Sequence, residues 1–333
     1  MTTPPQNALT SKAAPTTGSL LAQKMRSLGY YLRQHWVLYV MLIPGLFFLF
    51  IYKLLPLWGL QIAFKDYKIF AASDPWSAIA ASKWVGLKHF KRLFGSSQFI
   101  KVLLNTLEIN FLKILWLFPI PILCAILLNE IRNKLYQKLC QTLIYVPYFF
   151  SWVLIFGIFY SLLGSYGIIN TVITVITALG GSRINFFGDQ SVFRSVLVFT
   201  EGWKEVGYNT VIYLAAITGI DVTLYEAARV DGANKFQQIW SITLPGLLPT
   251  IILMLIMKVG YILTTGFEQV LVFYSPAVYD VADIIETYVY RIGMGQADFS
   301  LATALGLFNA VIAFILIVGA NTVSKKTLGR SIW

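Results

Sequence analysis

Three apolar runs of this chain carry polar and charged side chains at helical spacing. One run holds Asn110 and Lys113, three residues apart, and another holds Lys258 and Tyr261, also three apart. Residues three or four apart share a face of a helix, and a charge at bilayer depth costs at least ~2.5 kcal/mol, so it normally faces a cavity or a partner. We interpret these strips as one wall of a path for a polar solute. The candidate residues are Asn110, Lys113, Glu201, Trp203, Lys204, Tyr208, Asn209, Lys258 and Tyr261.

Internal ion pairing is the alternative interpretation of the same charges. Glu201 could pair with Lys204, three residues further along one helix. Pairs between helices would also hide the charges from any solute. The candidates for such pairs are Glu108 and Glu205 with Lys113 and Lys258. The sequence leaves both interpretations open.

The elements that must hold these residues are membrane-spanning helices. Of the 333 residues, 57% are hydrophobic and 12% are charged, which is about half the charged share of a soluble domain. A span needs ~20 apolar residues. Six runs meet this length, namely 36–55, 103–128, 142–163, 192–217, 246–266 and 301–323. We therefore predict an all-α membrane protein with six transmembrane helices.

Positive charge predicts which side of the membrane each loop occupies. Lys and Arg are enriched in 129–140 and in both tails, whereas 267–300 is acidic, so we place both termini in the cytoplasm. The long basic loop 56–100 is the exception to this rule. The predicted domains are a cytoplasmic, partly disordered tail over 1–33, a transmembrane domain over 34–323 and a cytoplasmic tail over 324–333, with a cytoplasmic segment at 221–245 inside the domain.

Several classes of function have no support in the sequence. The two cysteines and two histidines form neither a disulfide framework nor a metal cluster. A Gly-rich phosphate loop with lysine is lacking, so we expect no ATP, and no other cofactor, on this chain. Clustered carboxylates of a membrane enzyme are also lacking, so we expect no catalytic residue, and the net charge of +11 suits membrane loops better than nucleic acid. The halves show no repeat of the kind that completes a pathway within one carrier chain.

The cytoplasmic segment 221–245 has its own predicted shape. Thr223 and Glu226 have the spacing of a capping box, so a short helix should begin there. Gly232 should end that helix, because glycine enters a left-handed conformation without strain. A second short helix should stop at Pro245. Two short helices joined at a glycine would project from the membrane and offer a surface to a partner.

This segment also carries a family signature. Glu226-Ala227-Ala228, three residues, Gly232, nine residues, Ile242, one residue and Leu244-Pro245 match the pattern EAA-x3-G-x9-I-x-LP. It resembles the signature of the membrane-spanning permease subunits of ABC importers. The resemblance implies a coupling helix that docks on an ATPase subunit, although Glu226 could instead serve only as a helix cap. The implied coupling residues are Glu226, Ala227, Ala228, Asp231, Gly232, Leu244 and Pro245.

The resemblance extends over most of the chain, from about residue 30 to Trp333. The chain is similar to the carbohydrate-uptake permeases, most of all to the branch for oligosaccharides and polysaccharides such as alginate and pectin fragments. This implies the type I importer fold in a bacterial cytoplasmic (inner) membrane. The implied partners are a second homologous permease, two ATPase subunits that bind ATP and Mg²⁺, and a periplasmic or lipoprotein solute-binding protein on the face of loop 267–300, although such loops could simply close the path.

The solute itself is less well defined by sequence. Intramembrane lysines beside Trp203, Tyr208 and Tyr261 would suit an acidic oligosaccharide that contains uronates, because aromatic faces pack on pyranose rings. A neutral oligosaccharide is the alternative. A stand-alone carrier or channel is a further alternative, but such a protein would not need the projection at 221–245.

Overall fold

The computed structural model describes residues 31, 33–176, 183–264 and 266–329. Most of the predicted N-terminal tail and the last four residues lie outside this part of the chain. The chain divides into two compact units, Met1–Leu60 and Gln61–Trp333.

In the first unit, helix α1 covers Trp36–Leu49 and continues as a π-helical turn, Phe50–Leu54. The side chains of α1 are exposed on every side of the helix, as a span with lipid around it would be. A 3₁₀ helix, Leu55–Phe64, then leads into the second unit.

The second unit is almost entirely helical. Its one described sheet is a hairpin in which β1 (Lys65–Asp66) pairs antiparallel with β2 (Lys83–Trp84). The α-helices are α2 (Pro75–Ala81), α3 (Lys88–Phe94), α4 (Ser97–Leu117), α5 (Pro119–Glu130), α6 (Lys134–Tyr145), α7 (Trp152–Leu163), α8 (Ile168–Ile176), α9 (Gln190–Thr218), α10 (Val222–Val230), α11 (Lys235–Gln238), α12 (Leu244–Gly260), α13 (Phe267–Phe273), α14 (Tyr279–Ala282), α15 (Ile285–Tyr290) and α16 (Phe299–Leu328). Shorter 3₁₀ and π turns join them at Val146–Phe149, Ile239–Thr243, Pro276–Val278 and Arg291–Gly295.

Five helical segments within the described residues are long and apolar enough to cross a membrane. They are Trp36–Phe64, Ser97–Glu130, Trp152–Thr174, Lys235–Gly260 and Phe299–Lys326. A sixth exists if α9 and α10, which meet at a bend of 69°, are counted as one span. The predicted all-α membrane fold is confirmed, with five or six spans according to how this bend is counted.

The predicted third span, 142–163, is wrong in its boundaries. Helix α6 ends at Tyr145, a 3₁₀ turn follows, and α7 begins only at Trp152 with Ser151 as its N-cap. Pro147 lies in the first turn of the 3₁₀ segment and has no backbone N–H to donate. Proline therefore breaks a run that its apolar composition predicts as one helix.

Helix α9 lies at the centre of the second unit. It packs against α4, α5, α6 and α12, and Phe193, Leu197 and Tyr213 on it are almost fully buried. Gly207 lets the backbones of α9 and α6 approach closely, because an added Cβ there would lie 1.8 Å from the carbonyl oxygen of Ile144 on α6. The path candidates on α9 are therefore held on a helix that neighbours surround on most of its faces.

A polar network joins α4 and α9 to α14. Arg194 forms an ion pair with Glu108, and its Nη2 donates to the Asn105 side chain at 2.9 Å. Lys101 pairs with Asp280 at 2.6 Å. Glu108 thus pairs with an arginine rather than with a path lysine, contrary to the predicted alternative. This network marks the end of the bundle that lies furthest from α10.

Candidate functional site

Segment 221–245, called the coupling segment below after the role that its signature predicts, begins at a different cap from the one predicted. The Asp221 carboxylate accepts a hydrogen bond from the Thr223 N–H at 2.9 Å, and α10 starts at Val222. The predicted capping box of Thr223 with Glu226 is wrong, because Thr223 already lies in the first helical turn. Asp221 stands just before the helix, where a short carboxylate reaches the free N–H groups.

The second short helix has the capping box that was predicted for the first. The Asn234 side chain accepts from the Gln237 N–H at 2.9 Å, and the Gln237 side chain accepts from the Asn234 N–H at 2.8 Å. Between the helices Gly232 has φ +78°, and the Ala233 N–H returns to the Ala228 carbonyl at 2.8 Å. The predicted turn at Gly232 is confirmed.

The predicted stop at Pro245 is wrong. The chain stays helical from Lys235 to Gly260, through a π turn over Ile239–Thr243 and then into α12. Pro245 lies in the first turn of α12, and the wider π turn before it accommodates a residue that cannot donate. The coupling segment is therefore continuous with a membrane span.

Two contacts hold this segment to the bundle. The hydroxyls of Tyr225 and Thr243 are 2.9 Å apart and join α10 to the start of α12. Lys235 pairs with Glu130 at the end of α5, at 2.7 Å. A force applied to the coupling segment would therefore reach α12 through α10 and α5 through α11.

The outer surface of the coupling segment is apolar and open. Val230 is 88% exposed and Phe236 is 72% exposed, and Glu226 is exposed beside Ala227. Because Asp221 is the helix cap, the exposed Glu226 carboxylate remains available to a partner. An apolar surface of this kind, rimmed by charge, is typical of a protein interface. The remaining exposed apolar side chains are Val222, Leu224 and Trp240.

The path candidates meet two adjoining cavities in the second unit. The wider one has a volume of about 910 Å³ and is lined by residues of α9, α12, α13, α15 and α16. The narrow one, about 40 Å³, lies toward the α10 end of α9 and is lined by Asn110, Lys113 and Asn209 among others. Three charged residues line both cavities, namely the path candidates Glu201 and Lys258 and, beside them, Glu205.

A buried ion pair lies at the junction of the two cavities. Lys113 Nζ is 2.5 Å from Glu201 Oε2 and donates to Gln269 Oε1 at 2.8 Å. Gln269 is fully buried and donates to the Leu197 carbonyl and the Thr200 hydroxyl. The interhelical pairing anticipated for Lys113 occurs, with Glu201 as its partner.

Lys204 occupies a different place from the one predicted. Its ammonium donates to the carbonyls of Tyr148 and Phe150, at 2.7 and 2.5 Å, where the break between α6 and α7 leaves them without helical partners. Neither the Glu201 pairing nor the solute wall predicted for Lys204 is seen, because the side chain is buried against the break.

The aromatic candidates on α9 also support this break. Tyr208 stacks on Tyr148 with ring centroids 4.2 Å apart, and Trp203 contacts Phe150 and Phe159. Tyr208 and Trp203 do not line the two cavities described above. Tyr261, which is half exposed at the end of α12, does not line them either. Of the nine path candidates, Asn110, Lys113, Glu201, Asn209 and Lys258 do line them.

Most of the wide cavity's wall was missed by sequence reasoning. Trp152 and residues after α12 supply it, and Asn309 there donates to the Leu263 carbonyl at 3.1 Å. Burial raises the pKa of Glu286 to about 7, so this carboxyl is partly protonated at neutral pH. The acidic, aromatic composition of 267–300 was the available signal. The missed polar and aromatic residues are Trp152, Phe267, Glu268, Glu286, Tyr290, Phe299 and Asn309.

The structure has a bundle of membrane spans, polar cavities inside that bundle and an exposed helical segment tied to two of the spans. These features together are those of a membrane transport subunit. Residues 118–328 match the family model described as the binding-protein-dependent transport system inner membrane component. The chain belongs to this family.

Relatives with established names agree with this assignment. The chain is 43% identical to the polygalacturonan/rhamnogalacturonan transport system permease protein YteP of Bacillus subtilis strain 168, over 91% of this chain and 92% of that protein. It is also 43% identical to Protein LplB of the same strain, over 88% and 90%. The first of these relatives is named as a transport permease and not as an enzyme.

Solved structures show the same fold. A bacterial alginate ABC transporter, crystallised with a periplasmic protein bound to an alginate pentasaccharide, contains a chain that superposes with a TM-score of 0.81. That chain is 38% identical, and the match covers 91% of this chain and 99% of that one. The predicted type I ABC importer permease fold is confirmed.

Proposed function

We propose that this chain is one permease half of an ATP-driven importer that carries oligo- or polysaccharide across a bacterial inner membrane. It pairs with a second, homologous permease, which would cover the wide cavity where this chain leaves it open. Two ATPase subunits bind ATP and Mg²⁺, and a solute-binding protein delivers the sugar at the end of the bundle opposite α10. Both termini and the coupling segment face the cytoplasm. The exposed, firmly tied coupling segment is the observation that carries this proposal.

The mechanism follows from how that segment is attached. An ATPase subunit contacts Val230, Phe236 and the Glu226 carboxylate. When the two ATPase subunits close on ATP, this contact moves the coupling segment. The Tyr225–Thr243 hydrogen bond and the Lys235–Glu130 ion pair pass this motion to α12 and α5. Lys258 on α12 lines both cavities, so a movement of α12 alters the constriction between them. ATP and the loaded binding protein favour different states and so drive the change.

Variants of the coupling segment test this proposal. Gly232→Pro cannot adopt φ +78°, and Glu226→Lys reverses the exposed charge. We expect each change to lower ATP hydrolysis stimulated by the loaded binding protein by about tenfold, equivalent to ~1.4 kcal/mol of coupling. Gly232→Asn is the matched control, since asparagine tolerates a left-handed conformation, and should retain most activity. Unchanged hydrolysis in both intact variant complexes would contradict the docking role.

For the solute, an acidic oligosaccharide is the first choice. The support is the name of the 43% identical pectin-fragment permease and the alginate transporter that shares the fold. Among the described residues that line the cavities, Lys258 is the cation best placed to meet an anionic sugar, because it lines both of them. Lys113 and Lys204 hold Glu201 and backbone carbonyls instead.

A neutral oligosaccharide is the second candidate, and one observation favours it. Among the described residues that line the wide cavity, Glu201, Glu205, Glu268 and Glu286 accompany the single cation Lys258. Lys113 neutralises Glu201 and Glu286 is partly protonated, so Glu205 and Glu268 are left against Lys258. Such a wall accepts hydrogen bonds from sugar hydroxyls and does not favour carboxylates. An acidic sugar would then require cations from the second permease.

Uptake by a Lys258→Ala variant separates the two candidates. If the solute is acidic, we expect uptake of a labelled uronate oligosaccharide to fall about tenfold, because a close opposite charge is worth roughly 1 to 2 kcal/mol near a wetted surface. Uptake of a neutral oligosaccharide of equal length should change much less. Lys258→Arg keeps the charge and should retain most uronate uptake. Equal losses for both sugars would remove the acidic assignment and leave the transport role intact.

A further inference from the structure

A basic and aromatic surface lies on loop 56–100, the basic loop that was the exception to the enrichment of Lys and Arg in cytoplasmic loops. Lys88 and Lys91 on α3 are exposed, and their groove, about 490 Å³, is completed by Val85 and Leu87. Trp84, next to it, is 60% exposed. No residue of this groove lines the wide cavity, so it lies outside the solute path described above.

Contacts place this groove at the end of the bundle opposite the coupling segment. Arg92 on α3 pairs with Asp298 at 2.7 Å, just before α16 begins. Lys101, near the start of α4, pairs with Asp280 on α14, and Arg194 near the start of α9 donates to the Val281 carbonyl of α14. Helix α9 lies between this end and α10. It has 29 residues and is therefore about 43 Å long. Lysines are depleted on this side by the usual rule, so an anionic partner would account for them.

The groove is continuous with an apolar strip on a membrane span. Below it, exposed apolar side chains follow one face of α4, within the candidate span Ser97–Glu130. Because this strip lies at bilayer depth, acyl chains can cover it. On α4 the strip consists of Ile100, Leu104, Phe111 and Leu115, and exposed Phe94, at the end of α3 and one helical turn after Lys91, links it to the groove.

We propose that Lys88 and Lys91 bind the phosphate of an anionic phospholipid, while Trp84 and Leu87 enter the interface and the α4 strip carries the acyl chains. Tryptophan beside lysine is the composition of membrane-interface belts. A protein that docks at the mouth of the cavity is a poorer fit, since the groove shares no residue with that cavity and continues onto a membrane span. Lipid binding, rather than solute binding, would then account for the lysines of loop 56–100 on this side of the membrane.

Native mass spectrometry of the purified complex tests this inference. The complex would be released from nanodiscs that contain phosphatidylglycerol, or phosphatidylcholine as the neutral arm. Each lysine near an anionic surface contributes roughly a fivefold factor, so we expect Lys88→Gln with Lys91→Gln to lower phosphatidylglycerol retention by about tenfold or more. Phosphatidylcholine retention should not change.

Two matched variants complete the design. The Lys88→Arg, Lys91→Arg protein keeps both charges and should retain the lipid. Lys83→Gln removes an exposed lysine of the same hairpin that lies outside the groove and faces Asp66 across the strands, so it should have little effect. Equal phosphatidylglycerol retention by the glutamine variant and the native protein overturns the proposal. So does a loss of binding-protein affinity without any loss of lipid, because the surface would then be a protein-docking site.

Discussion

Replacement of Gly207 by alanine is expected to prevent correct packing of the bundle. A Cβ at this position would lie 1.8 Å from the Ile144 carbonyl oxygen and 2.8 Å from the Tyr145 backbone nitrogen. These are backbone atoms of α6, so no side-chain rotation relieves the overlap, and α6 would have to move away from α9. We expect a loss of ~4 kcal/mol or more in the free energy of unfolding, at the extreme of single substitutions.

The measurement is the yield of monodisperse complex on size-exclusion chromatography, followed by thermal unfolding. Gly319→Ala is the matched control, since an added Cβ there meets no atom within 4 Å and alanine is the better helix former. A Gly207→Ala complex with native yield and unfolding temperature would show that α6 does not pack on α9 as described.

Loss of Lys113 is expected to have the second largest effect. Its side chain is 5% exposed and its ammonium holds both Glu201 and Gln269. Lys113→Met would leave a carboxylate, itself only 12% exposed, without its cation inside the bundle. Removing one partner of a buried pair costs ~3–5 kcal/mol, and thermal unfolding of the purified complex measures it.

A double variant identifies the cause of that loss. Lys113→Met combined with Glu201→Gln removes both charges, so we expect it to recover ~2 kcal/mol relative to the single variant. Lys134→Met, at an exposed lysine on α6, should change stability by less than ~0.5 kcal/mol. If the double variant is no more stable than Lys113→Met, the pair is not the source of the effect.

The corrections to sequence reasoning have local physical causes. Thr223 has the right spacing for a capping box, but Asp221 precedes the helix and reaches its free N–H groups. Lys204 and Glu201 have the spacing of a helical pair, yet Lys204 finds carbonyls exposed by a neighbouring break. In each case the pattern was valid, and a competing partner close in space or in sequence was preferred.

The sequence by itself determined the membrane class, most of the spans, the presence of a short helix before Gly232 and the turn at Gly232. These features depend on composition, periodicity and backbone conformation along a short stretch. Only the tertiary structure decided which intramembrane charges are paired, because a pair such as Lys113 and Glu201 forms between helices far apart in the chain. It also brought Trp152 and the residues of α13, α15 and α16 to the wide cavity, since side chains line a cavity through the packing of whole helices. Spacing within one helix carries no record of that packing.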